Sequence, residues 1–82
     1  MLQKSITLNE RQKEYIWNTL GMCEVYCYED NKYSKFEDAK ECEWRLDYSG
    51  CDDDYPWELF VDIGVWDHLR QDFVDKVLQI KE

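Results

Sequence analysis

Two runs constrain the fold of this chain most: ECEWRLDY at 41–48 and WELFVDI at 57–63. In the first, Cys42, Trp44, Leu46 and Tyr48 alternate with Glu41, Glu43, Arg45 and Asp47. In the second, Trp57, Leu59, Val61 and Ile63 share one face. A period of two puts each apolar set on one side of a strand. Between them lies SGCDDDYP, rich in turn-forming residues, so the runs are expected to pair as antiparallel strands.

The flanking segments have a different period. SITLNERQKEYIWNTLG predicts a helix from about residue 8 to 20, with Thr7 and Glu10 as a capping box and Gly21 as its left-handed end. MCEVYCY at 22–28 favours a strand, and EDNK is a hairpin turn leading into YSKF. Ile16, Leu20, Cys23 and Cys27 also fit helical spacing, so a first helix running to about residue 28 is the alternative. Its interior Gly21 costs roughly 0.5–1 kcal/mol relative to Ala, which a helix tolerates. From Trp66 onward, Leu69, Phe73, Val77 and Ile80, widened by Val74 and Leu78, predict a helix over 66–80.

The expected fold is α+β: an N-terminal helix, a small antiparallel sheet of three or four strands, and a C-terminal helix, with the helices on one sheet face. An all-α helical bundle is the alternative, because Phe36, Ala39, Cys42 and Leu46 also form a helical stripe. A chain of 82 residues is expected to make a single compact domain over 1–82, and its four tryptophans, six tyrosines and three phenylalanines suit a small core.

The formal charge of −9 is localised. Residues 1–36 and 68–82 each balance to zero, while residues 37–67 hold eleven acids against Lys40 and Arg45. A localised negative field favours a cationic partner and repels nucleic-acid phosphates and anionic lipid. Strand residues two apart lie about 6.7 Å apart on one face. Glu41, Glu43 and Asp47 are therefore expected to form a carboxylate row, with spacing comparable to neighbouring phosphates on one nucleic-acid strand. Asp52, Asp53 and Asp54 extend it around the turn, Glu58 and Asp62 continue it, and Tyr55 is the aromatic most exposed beside it. The competing reading is a solvated polar face ending in an acidic loop.

Other chemistries find less support. DDDYPWELFVDIG lacks the alternating ligands and central glycine of a calcium loop. Cys23 and Cys27 lie roughly 13 Å apart on a strand, too far for one zinc, so zinc requires the helical alternative. No metal and no cofactor is expected. His68 is the only histidine, and no nucleophile elbow, phosphate-binding loop or metalloprotease motif occurs, so no enzyme is expected. MLQKSITLNERQKEY has no apolar run resembling a secretory signal; a cytoplasmic protein with reduced cysteines, and no membrane association, is the expectation.

The pattern therefore suggests a small acidic binding protein that inhibits a basic, nucleic-acid-binding host protein by occupying its cationic site. At the level of class alone it is similar to phage-encoded anti-defence inhibitors, such as anti-restriction, anti-CRISPR and uracil-DNA-glycosylase inhibitor proteins, several of which mimic DNA. An immunity or antitoxin-like protein neutralising a cationic toxin is the second reading. A structural homodimer using an exposed strand edge is the third.

Overall fold

A computed structural model describes residues 4–26, 32–50, 52–62 and 64–81. In chain order the elements are β1 (Ser5–Thr7), α1 (Glu10–Thr19), β2 (Val25–Tyr26), β3 (Lys32–Tyr33), α2 (Phe36–Ala39), β4 (Trp44–Tyr48), β5 (Trp57–Val61), β6 (Gly64–Leu69) and α3 (Gln71–Leu78). The fold is α+β. Four antiparallel strands form a sheet in the order β1-β4-β5-β6, and β2 pairs with β3 separately.

The two alternating runs pair as the sequence implies. Trp44 faces Val61, Leu46 faces Leu59 and Tyr48 faces Trp57. All but Tyr48 are buried, in one cluster with Ile16 of α1 and Val74 and Val77 of α3. Both long helices thus lie against the same side of the sheet. The Trp44 indole N–H donates to the Ala39 carbonyl at 2.9 Å, so the largest fully buried side chain carries no unpaired donor. The Trp44 ring meets Trp17 and Phe36 at centroid distances of 6.4 Å each.

Helix α1 starts two residues later than expected. Thr7 is committed to β1, opposite Arg45, so the capping box belongs to Asn9 and Gln12 instead of Thr7 and Glu10. Asn9 Oδ1 accepts from the Gln12 amide at 2.8 Å, and Gln12 Oε1 accepts from the Asn9 amide at 2.9 Å. The buried Gln12 amide group also donates to the carbonyls of Val77 and Ile80, tying the start of α1 to the end of α3. At the other end Gly21 has φ +64°, and the Met22 N–H donates to the Trp17 carbonyl at 3.0 Å, a left-handed stop that rules out a helix continuing to residue 28.

The expected strand at 22–28 is reduced to Val25–Tyr26, paired with Lys32–Tyr33. Cys27, Tyr28 and most of the EDNK turn lie outside the described residues. The strand expected at 41–48 begins only at Trp44, because the single turn of α2 runs into Lys40 and leaves Glu41, Cys42 and Glu43 as a connector. The largest correction concerns 66–80. Gly64–Leu69 is a strand, and the helix is confined to Gln71–Leu78. A bulge between Leu59 and Phe60 shifts the β5–β6 register, so Trp66 has no residue directly opposite it. The expectation of reduced cysteines also fails at Cys42, which is in a disulfide, whereas Cys23 is free and exposed. Among the described residues no helix is long and apolar enough to cross a membrane.

Candidate binding surface

The face of the sheet turned away from the helices carries two rows across the strands. Ser5, Asp47, Glu58 and His68 occupy consecutive register positions in one. Thr7, Arg45, Phe60 and Val65 occupy the other. The Ser5 hydroxyl donates to Asp47 at 2.7 Å, Arg45 Nε reaches Asp47 at 3.1 Å, and His68 Nε2 lies 3.3 Å from Glu58. The Arg45 guanidinium also sits over the Phe60 ring, 4.5 Å from its centroid. Asp47 and Glu58 are therefore adjacent on the outer face, but each already has a local partner.

Glu41, Glu43 and Asp62 lie at one end of this face. The Asp62 amide donates to the Glu43 carbonyl at 2.7 Å, and Asp62 itself takes φ +61° at the β5–β6 turn. Lys13 stands at this end, its ammonium donating to the carbonyls of Lys40 and Cys42 at 2.9 and 3.0 Å. Burial pushes its pKa below the ordinary 10.5, against the opposing pull of Glu41, Glu10 and Glu43. Lys40 pairs with Glu37 and Glu10, which raise its pKa. This acidic end is thus interleaved with cations.

The opposite end is the β4–β5 loop. Asp52 Oδ1 accepts from the Asp54 and Tyr55 amides at 2.8 and 3.1 Å, so one of the three aspartates is a turn-former. Asp53 and Asp54 are exposed and form no ion pair among the described residues. Tyr55 is exposed beside them, with the Arg70 guanidinium 5.9 Å from its ring centroid. Gly50, at φ +67°, holds the loop against Tyr48; a Cβ there would lie 3.2 Å from the Tyr48 ring.

The nine residues singled out from the sequence thus form three groups rather than one row. Asp52, Asp53, Asp54 and Tyr55 occupy one strand end, Asp47 and Glu58 the middle, and Glu41, Glu43 and Asp62 the other end. The row fails at Glu41 and Glu43 because they precede β4, whose hydrogen-bonded ladder is what enforces a constant face.

Sequence reasoning missed a groove on the helix side, between β1 and α3, of about 510 Å3. Lys4 and Ile6 wall it on one side, Tyr48 and Trp57 form its floor, and Asp75 and Leu78 wall it on the other. The Tyr48 and Trp57 rings meet edge-on at 5.2 Å. The alternation of β4 does put Tyr48 on the core side, where it is 38% exposed because none of the described residues covers it fully. Among the described residues no three of His, Cys, Asp and Glu come together to hold a metal ion. Comparison with family models, curated proteins and solved structures finds no match to this chain.

Proposed function

We propose that this chain is a small acidic binding protein that inhibits a basic, nucleic-acid-binding protein by occupying its cationic site. The observation that carries the reading is the segregated charge. The whole excess of −9 arises within residues 37–67, and Asp53 and Asp54 project it from the β4–β5 loop without ion-pair partners among the described residues. On the outer face Glu58 adds to this field beside His68, while the charge of Asp47 is met by Arg45. Such a surface gains by displacing the counterions and phosphates that a basic groove otherwise attracts. In this reading the protein is not an enzyme and binds neither nucleic acid nor membrane directly.

The test is affinity capture from a host lysate at low and high salt, followed by competition of the captured protein between this chain and its nucleic acid. Release of the nucleic acid in step with binding supports the reading, and simultaneous binding of both overturns it. Replacing Asp53 and Asp54 by Asn together with Glu41, Glu43 and Asp47 by their amides should weaken capture and flatten its salt dependence. Unchanged affinity would reject a charge-based surface. A cytoplasmic setting belongs to the same proposal, and the disulfide at Cys42 pulls the other way, toward an oxidising compartment. Thiol counting on protein from its natural source decides between the two.

A further inference from the structure

We infer that the groove between β1 and α3 takes an extended basic segment of the partner, added as a strand to the free edge of β1. The inference rests on the reading of this protein as a binder of a cationic polypeptide, and adds where and how the segment docks.

Strand β1 is an edge strand, and the alternation of its hydrogen bonds is fixed. Lys4 accepts from the Tyr48 amide at 2.9 Å, Ile6 stands opposite Leu46, and the Leu8 amide donates to Trp44 at 3.0 Å. Residues 4, 6 and 8 therefore turn their backbone groups toward β4, and the N–H and C=O of Ser5 and Thr7 point outward. Among the described residues no strand pairs with that edge. A strand added there places the side chain opposite Ile6 on the helix side of the sheet, which is where the groove lies.

The groove's chemistry specifies the occupant. Tyr48, Trp57 and the 40% exposed Leu78 offer apolar contact to one large side chain. The polar groups along its α3 wall form a directed chain: the Trp57 indole N–H donates to Gln71 Oε1 at 2.9 Å, and Gln71 Nε2 donates to Asp75 Oδ1 at 2.9 Å. The chain ends on a carboxylate with acceptor capacity left, so a donor cation completes it. The loop carrying Asp53 and Asp54 leaves the sheet directly after Tyr48, adding negative potential at that end. Among the described residues Lys4 is the one cation lining the groove, and it requires the positive residues of the segment to lie across from it, toward Asp75 on α3.

Titration of isotope-labelled protein with a blocked peptide that alternates lysine and valine around a central leucine tests this. Amide exchange at Ser5 and Thr7 should slow, and the Trp57 indole resonance should shift. Leu78→Lys should weaken binding roughly tenfold by closing the apolar wall with a charge. Asp75→Asn should weaken it about threefold, as for an exposed ion pair. A matched peptide with glutamate in place of lysine should not bind. Leu78 is partly exposed, so the variant is expected to fold, and its melting curve checks this. Unchanged Ser5 and Thr7 exchange at saturation, full binding by folded Leu78→Lys, or no resonance changes at all would each overturn the groove assignment. Shifts confined to Asp53 and Asp54, abolished by their amidation, would overturn it while leaving the acidic-surface proposal standing.

Discussion

Asp52, Asp53 and Asp54 are chemically identical neighbours with different work. Asp52 satisfies two backbone N–H groups, so Asp52→Ala should cost about 1 kcal/mol in denaturant unfolding, while Asp52→Asn keeps the acceptor and costs less. Asp53→Ala and Asp54→Ala should leave stability within about 0.5 kcal/mol of the parent. Equal losses at all three positions would contradict the turn assignment. Gln12 is the converse case, a buried polar side chain that caps α1 and also reaches two carbonyls near the end of α3; Gln12→Ala should cost about 1–3 kcal/mol, more than Asn9→Ala. Lys13 adds a pH signature. Burial lowers its folded pKa below 10.5, so the unfolded chain holds that proton more tightly. Its contribution to stability therefore rises as pH climbs from the lowered folded value toward 10.5. The pKa values of Lys32 and Lys40 are raised, so their contributions are present below 10.5 and lost above it. Subtracting the urea midpoints of Lys13→Met from those of the parent across alkaline pH should isolate the Lys13 rise, and a flat difference would show that its burial carries no such penalty.

At the scale of elements, legibility followed the strength of the local signal. The β4–β5 pair could be read because alternation and turn chemistry agree over 44–61, and the end of α1 because Gly21 is both a helix breaker and free to adopt φ +64°. The capping box was misplaced at Thr7 and Glu10: Asn9 and Gln12 have the same spacing, and the long-range pairing of β1 with β4 is what takes Thr7 away from the helix. Strand β6 was illegible for a related reason. Trp66 and Leu69 are three apart and look helical, but the bulge opposite Leu59 and Phe60 breaks the two-residue alternation that identifies a strand. The site was only partly legible: residue type located the charge, whereas the groove depends on how far the described helices and strands cover Tyr48, which alternation alone does not set. Gly50→Ala tests the element that joins these features. With φ +67° and a Cβ 3.2 Å from the Tyr48 ring, it should lose about 1–2 kcal/mol and disturb the groove floor together with the loop, read as changed Tyr48 and Trp57 side-chain resonances. Gly21→Ala meets open space, so it should show a comparable backbone cost without those shifts.

For the whole molecule the deciding quantity is the balance between local ion pairs and net repulsion. The pairs Arg45–Asp47, Lys40–Glu37 and Lys32–Glu24 are short but solvent-accessible, so each contributes little and salt weakens all of them. Against them stands a net charge of −9 generated by one third of the chain, much of it at the β4–β5 loop and along the outer sheet face. Repulsion within that third is also screened by salt, because the Debye length near physiological ionic strength is about 8 Å. Screening of the repulsion should win, since nine acids remain in excess after every base has been counted. The melting temperature should therefore rise with added sodium chloride at neutral pH. Replacing Asp53 and Asp54 by Asn removes repulsion without removing an ion pair among the described residues, so that variant should melt at or above the parent in low salt and respond less to salt. A parent that melts lower as salt is added would mean that the local pairs dominate. In that case the acids would be serving the fold, and the surface proposed to meet a basic partner would lose its main physical support.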